Sequence, residues 1–417
     1  MKVVHLSTMD SDSGAAKAAV RIHTGLLENN IDSKMLVAKK LTHTREIYPP
    51  NKLREKIFGK LAQYCDEKIN GLLRTQNTSM ISPAYFGSPI VKRTLELNPD
   101  IIQLHWICQG FIRLESLKYF QKQRLVWRLP DMWAFSGGEH YVGDSLRYEQ
   151  GYLKNNRPAG ESGFDLNRWI WMRKQKHWKD LKSMTLVSPS RWLADCIRRS
   201  VLFKNHRIEF IPTGQNVEHF KPIDQNIARQ ILGLNPQKKY ILFGSIDAIG
   251  DIRKGFHLLK PALQILSRKQ QWNENLECLV FGSETRKNHG LDLPVKFLGY
   301  YKDDLSLMLA YNATDAFVAA STEENLANTV IESMACGKPV VAFRIGGMPD
   351  IIRHQENGFL AKDLSPQALA DGIEFVIEDS ERWIKLSTAA REIAIRLYST
   401  KVQTQSYIDL YQDLIKR

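Results

Sequence analysis

No stretch of the sequence approaches the roughly 18 consecutive apolar residues that a membrane-spanning helix needs. The apolar run at Met1–Ser7 is too short for the core of a signal peptide, so the expectation is a cytoplasmic protein. Cysteine is scarce: Cys65, Cys108, Cys196, Cys278 and Cys336 are odd in number, far apart and without a C-x-x-C pair. That pattern excludes a disulfide framework and a thiolate zinc site, and leaves them as small buried hydrophobes. Repeats of solenoid period and low-complexity tracts are also missing. What is present is an ordinary folding composition, 43% apolar, 10% aromatic and 25% charged. At 417 residues the chain is too long for one core and suits two or three domains of roughly 150 residues.

Positive charge is in surplus, +13 overall, and unevenly placed. Residues 1–214 hold 34 Lys and Arg against 20 Asp and Glu, whereas the remainder holds 24 against 25. The basic half would attract an acidic substrate, anionic lipid or nucleic acid through its summed field, and charge alone does not choose among them.

The local patterns alternate strand and helix. Lys2–Thr8 reads as a strand, Met9–Gly14 as a turn-rich loop and Ala15–Leu27 as a helix. Ser33–Val37, Asp100–His105, Arg124–Leu129 and Met184–Ser188 read as further strands, with Ser190 capping the helix that follows. The break at Ile211-Pro-Thr-Gly214 reads as a domain linker. The alternation then resumes with strands at Tyr240–Phe243, Glu277–Phe281, Val295–Leu298, Ala316–Ala319 and Pro339–Phe343, and Gln403–Ile415 closes the chain as a helix. This predicts an α/β protein with two parallel, doubly wound halves and a ligand cleft at the carboxyl ends of their strands. Leu53–Leu73 reads as an amphipathic helix with Lys52, Arg54, Lys56, Lys60, Lys68 and Arg74 on and beside it. It fits a membrane surface or a surface helix with a solvated basic face.

The most informative stretch runs from Ser321 to Phe343. A polar loop ending near Glu324 leads into a helix whose exit is marked by Gly337 and Pro339. Backbone N–H groups around Asn325, Leu326, Ala327 and Asn328 would point from a helix N terminus, an anion site suited to a diphosphate. Glu324 would stand at its mouth for a sugar and Glu332, two turns on, for ribose hydroxyls. The spacing Glu324-x7-Glu332, followed by Ser-Met-Ala-Cys-Gly-Lys-Pro-Val-Val-Ala, resembles the signature of glycosyltransferase family 4, retaining enzymes of the GT-B fold. The usual E-G-F-G opening is Glu324-Asn-Leu-Ala327 here.

Phe243–Leu259 resembles the family's strand, glycine turn and K-G helix start, in which an Arg and a Lys neutralise the donor diphosphate. Lys254 matches the lysine; Ser245 stands where the arginine is expected, and Arg253 is the candidate substitute. Val187–Leu193, Ile211–Gly214, Phe297–Tyr300 and Gly282-Ser283 resemble the interdomain segment, the linker, the base-binding turn and a strand end at the cleft. The resemblance thus implies donor contacts at Gly14, Gly244, Ser245, Gly282, Leu298 and Gly299 beside those around Glu324. In the first half, Trp127–Tyr141 resembles a stretch usually read L-H-D-M-W, with Pro130 in the histidine's place. Asp131 is the catalytic candidate there, and His105, Trp106, Gly137, Gly138 and His140 the acceptor contacts. Trp169, Trp171 and Trp178 alternate with Arg168, Arg173, Lys174, Lys176, Lys179 and Lys182, which suits a bilayer interface, a glycan or a helix that buries its tryptophans.

The resemblance implies GT-B architecture: an acceptor domain at 1–214, a donor domain at 215–417, and a final helix from about residue 400 returning to the first domain. The implied function is transfer of a sugar from a UDP- or GDP-sugar to a carbohydrate or lipid-linked glycan, with retention and without metal or other cofactor, in surface polysaccharide assembly. An anionic membrane surface is a candidate partner and nucleic acid is not. A nucleotide-sugar epimerase or glycosyl phosphorylase, a non-catalytic nucleotide-sugar-binding protein motivated by Pro130 and Ser245, and, third, a nucleic-acid-binding protein are the alternatives.

Overall fold

The computed structural model describes residues 1–245, 247–283, 293–301 and 303–417. Ile246, within the stretch likened to the family's glycine turn, and the Arg54 side chain fall outside that description. The chain divides into two compact units, Met1–Pro212 with Gln403–Arg417, and Thr213–Val402.

In the first unit, β1 (Lys2–Met9), β2 (Asp32–Lys39), β3 (Ile47–Tyr48), β4 (Ile101–Leu104), β5 (Leu125–Arg128), β6 (Thr185–Ser188) and β7 (Arg207–Phe210) form one sheet. Its order is β3-β2-β1-β4-β5-β6-β7, and every pairing is parallel. Six strands of the second unit, β8 (Lys239–Gly244), β9 (Leu276–Phe281), β10 (Val295–Gly299), β11 (Ala316–Ala319), β12 (Val340–Phe343) and β13 (Gly358–Ala361), are also all parallel, in the order β10-β9-β8-β11-β12-β13. Counted within its own unit, each sheet runs 3-2-1-4-5-6, with a seventh strand added at the end of the first, and this doubly wound order reverses direction between the first and fourth strands. Ligands of such sheets bind outside the carboxyl ends of those two strands.

Both faces of each sheet are covered, which is why the strands read as nearly continuous apolar runs. In β8, Tyr240 and Leu242 pack into one core, while Ile241 and Phe243 pack into the other. Among the described strands, the edges β3, β7 and β13 do not show in the sequence, whereas the edge β10 is expected there at Val295–Leu298. β3 has two residues, β7 alternates Arg207 and Glu209 with apolar neighbours, and β13 opens on a glycine. Such short or charged strands are what edges favour, and they weaken the hydrophobic signal.

Helix ends follow local chemistry. Ser13 and Ser190 cap α1 (Gly14–Glu28) and α2 (Arg191–Arg199) by accepting from the Ala16 and Leu193 N–H groups, each at 3.1 Å. The last helix, Thr400–Lys416, crosses from the second unit to the first. There Tyr411 donates to Gln103 Oε1 at 2.8 Å, and Arg207 pairs with Asp413 at 2.6 Å.

Candidate functional site

In the second unit, the chain leaves β8 through Gly244 and Ser245, makes a 3-10 turn at Ile252–Lys254, and enters helix α3 (Phe256–Ser267). Leaving β11, it passes Ser321 and Glu324 before helix α4 (Asn328–Ala335). Lys254 and Glu324, 70 residues apart in sequence, meet here: Lys254 Nζ donates to Glu324 Oε2 at 2.8 Å. Gly244, Ser245, Lys254, Ser321, Glu324 and Ala327 line one small pocket. It lies at the switch point of the sheet, where a doubly wound fold binds its ligands.

Two glycines hold these loops together. Gly255 (φ +77°) approaches β11 so closely that a Cβ would lie 1.8 Å from the Ala320 carbonyl oxygen. Gly346 (φ +48°) does the same to Glu324, whose carbonyl oxygen would be 1.8 Å from a Cβ. The backbone adds Thr322 N–H to Arg253 O at 2.8 Å and Gly347 N–H to Glu324 O at 3.3 Å. The Glu324 loop is therefore set by close backbone approach from both sides.

Helix α4 begins without a side-chain cap at Ala327 and ends in a Schellman motif. There Gly337 (φ +71°) donates to Met334 O at 2.9 Å and Lys338 to Ser333 O at 3.0 Å. Asn325 is buried, its N–H 3.2 Å from Glu324 Oε1, while Leu326 and Ala327 pack on the core. Glu332 is buried and accepts from the Tyr311 hydroxyl at 3.1 Å, so the two glutamates have separate partners. Burial and the Glu332 carboxylate hold the Tyr311 hydroxyl well above its usual range. Arg253 turns to Asp251 within its own turn, Nη2 to Oδ2 2.6 Å. Gly282 and Gly299 meet through an N–H···O bond of 2.8 Å, and Leu298 packs on the second unit's core.

The first unit gathers its candidates differently. His140 Nδ1 lies 2.7 Å from Asp131 Oδ2 and its Nε2 lies 2.9 Å from Ser82 Oγ. Trp106 Nε1 approaches the same ring at 3.4 Å, and Asp131 Oδ1 accepts from Trp133 N–H at 3.0 Å. Trp106 follows the carboxyl end of β4, and Asp131 and His140 follow that of β5; Ser82 joins them from upstream of both strands. His105, by contrast, is buried against His5, Nε2 to Nδ1 2.9 Å, and burial pulls both imidazoles well below their usual range. Gly137 and Gly138 are packed inside: a Cβ on Gly137 would lie 2.7 Å from Asn167 O, and one on Gly138 2.6 Å from Ile170 Cδ1. Gly14 is the first residue of α1, and the left-handed position of that turn is Asp12 (φ +68°).

The Trp-rich basic stretch resolves into a helix, Leu166–Trp178, that buries Trp171 and Trp178 in its own unit. Lys174, named in the sequence among the basic residues of this stretch, is fully buried and donates to the carbonyls of Trp133, Ser136 and Gly137. Burial pulls its ammonium down to about 7, against three acceptors that match its three N–H bonds. Sequence reasoning also missed Ser82, Asp251, Tyr311 and Gly346. The Gly346-Gly347 pair after the strand Pro339–Phe343 was the available signal for the last; nothing local marks the others. Among the described residues no group of three His, Cys, Asp or Glu is arranged to hold a metal ion, and no helix is long and apolar enough to cross a membrane.

Residues 224–393 match the family model of Glycosyl transferases group 1. The match lies within the second unit and includes Lys254, Glu324 and Glu332. D-inositol 3-phosphate glycosyltransferase of Corynebacterium glutamicum is 26% identical over 226 residues, 50% of this chain and 52% of that protein. The lipopolysaccharide core biosynthesis glycosyltransferase LpsE of Rhizobium meliloti is 32% identical over 165 residues, 38% of this chain and 46% of that one. The chain spans about half the length of the curated relatives it matches. Over its whole length it superposes on Anabaena HepE in complex with UDP, with a TM-score of 0.65, 18% identity and coverage of 99% and 100% of the two chains. The fold is therefore GT-B, built from two Rossmann-like units.

Proposed function

We propose that the protein is a glycosyltransferase that moves a sugar from a nucleotide-diphosphate sugar to a carbohydrate or lipid-linked glycan acceptor, with retention at the anomeric carbon. The observation that carries this reading is the meeting of Lys254 and Glu324 at the switch point of the second sheet, beside the N terminus of α4. Negative charge grows on the leaving diphosphate as the glycosidic bond breaks, and a fixed cation with aligned N–H dipoles stabilises it without reorganisation. Lys254 is that cation. It is paired with Glu324, so donor binding exchanges partners: the diphosphate takes the ammonium and the released carboxylate takes sugar hydroxyls. Arg253 would join it only by leaving Asp251. Glu332, braced by Tyr311, serves the ribose.

Retention, with same-face attack and the donor phosphate accepting the acceptor's proton, follows from the family 4 resemblance, as does chemistry without a metal. UDP is the favoured nucleotide because HepE was solved with UDP and with UDP-glucose. LpsE favours surface polysaccharide as the setting. Asp131 and His140 then face the acceptor, with Trp106 as an apolar wall for a sugar ring.

Release of nucleoside diphosphate from a panel of UDP- and GDP-sugars tests the proposal. Wild type is expected to release it, and Glu324→Ala to be slower by about 100-fold or more, the usual cost of removing one preorganised polar group from a transition state. Tight donor binding with no release by wild type would favour the non-catalytic reading that Ser245 and Pro130 motivate.

A further inference from the structure

Helix α5 (Leu53–Asn70) of the first unit is amphipathic in the reverse of the usual sense. Ala62, Asp66, Ile69 and Asn70 recur at helical spacing on one face, and that face packs inward. Asp66 accepts from the Tyr85 and Phe86 N–H groups at 3.1 and 3.3 Å, and Asn70 donates to Ile81 O at 2.9 Å. Gly110 approaches so closely that a Cβ would lie 2.6 Å from the Ala62 carbonyl carbon. The inward face thus carries Ala62 and Ile69 with two polar side chains, Asp66 and Asn70, that bond backbone groups, which sets the rotation of the helix.

The opposite face carries the apolar residues. Leu53, Ile57, Leu61 and Tyr64 recur at intervals of four, four and three, with Phe58 beside them, and all five are between 53% and 72% exposed. A contiguous apolar stripe turned to solvent marks an interaction surface. Lys52, Lys56 and Lys60 are exposed along the helix, and Lys68 sits over the Tyr64 ring at 5.4 Å. The acids do not balance them on the outside: Asp66 points inward, leaving Glu55 and Glu67. A second copy of this chain would set one lysine-rich stripe against another. An anionic surface offers the complementary charge, and a plane of headgroups over acyl chains matches a straight stripe rimmed by lysines.

We propose that α5 is an interfacial helix that docks the first unit on an anionic lipid bilayer, with its apolar stripe among the acyl chains and its lysines at the headgroups. The docked surface is that of the unit assigned to the acceptor, so an acceptor anchored in the same bilayer would be met in two dimensions; that consequence rests on the proposed function, while the docking does not.

The test is flotation of the intact protein with phosphatidylcholine vesicles, with and without phosphatidylglycerol, at low and physiological salt. The wild type is expected to bind the anionic vesicles about tenfold more than the neutral ones, with loss as salt rises. Phe58→Glu with Leu61→Glu, at exposed positions, should abolish binding while far-ultraviolet circular dichroism stays unchanged; Lys56→Gln with Lys60→Gln should remove only the preference for anionic lipid. No binding by wild type, equal binding to both vesicles, or wild-type binding by the glutamate variant overturns the proposal. So does a concentration-dependent dimer that the glutamate variant breaks without vesicle binding, which assigns the stripe to a second copy. Nucleotide-sugar cleavage measured on the same preparations separates failure of docking from failure of the proposed activity.

Discussion

The two units share a strand order and differ in how they use it. At the switch point of the second sheet the loops stay partly open, and oppositely charged groups face each other with side-chain exposures of 22% for Lys254 and 13% for Glu324. In the first sheet, His5 within β1 stacks at 5.2 Å on His105 just past β4, and the stretch Met132–Ser136 after β5 is buried. One topology therefore supports a charged, partly open site in one half and buried histidines and tryptophans in the other. The loops, not the sheets, decide which.

The largest expected difference lies in the glycines of the second unit. Gly346→Ala puts a methyl group 1.8 Å from the Glu324 carbonyl oxygen at a positive φ, so the loop must move. A loss of about 2–4 kcal/mol in chemical denaturation is expected, together with loss of donor binding. An alanine variant that is stable and binds donor would show that the loop is not held from that side.

The second prediction concerns pH and belongs to the first unit. His5 and His105 are held well below their usual range by burial, and His23 below it. Below about pH 6.5 the unfolded chain takes up protons that the folded unit refuses, so stability falls as pH falls, by up to about 1.4 kcal/mol per pH unit for each such histidine. Denaturation midpoints from pH 7.5 to 5 should show that slope, and His5→Phe with His105→Phe should flatten it. A slope unchanged in the double variant would place the proton uptake elsewhere.

The smallest expected effect is on stability at the charged pair. Lys254→Ala should shift the unfolding free energy by less than about 1 kcal/mol, because a partly solvated ion pair contributes little. A large destabilisation would make Lys254 a structural residue rather than a waiting ligand group.

The same contrast governs what the sequence reveals. The second site is compact in the chain: Glu324, the helix after it and its glycine stop follow one another, so spacing alone carries the pattern. Lys254 is distant, yet it precedes Gly255, whose left-handed conformation explains the local Lys-Gly signal. In the first unit, Asp131 and His140 are close in sequence, but Ser82 lies between the amphipathic segment Leu53–Leu73 and Gly87, where the sequence shows no strand or helix pattern. Lys174 reads in the sequence only as one basic residue among tryptophans; the three carbonyls that converge on it come from a different segment of the chain. The outward stripe of α5 was half legible: period and charge show amphipathicity, but only packing tells which face is inside.

The most direct measurement is the thermal stabilisation of the intact protein by UDP, GDP and their sugars, in wild type and in Lys254→Ala. A ligand bound only to the folded state at about 100 times its Kd adds about 2.7 kcal/mol, which is readily seen. The account predicts a clear rise with one nucleotide, UDP, that Lys254→Ala loses while its unliganded Tm stays within a few degrees of wild type. No rise with any nucleotide, or an equal rise in the variant, would contradict the assignment of the donor diphosphate to Lys254.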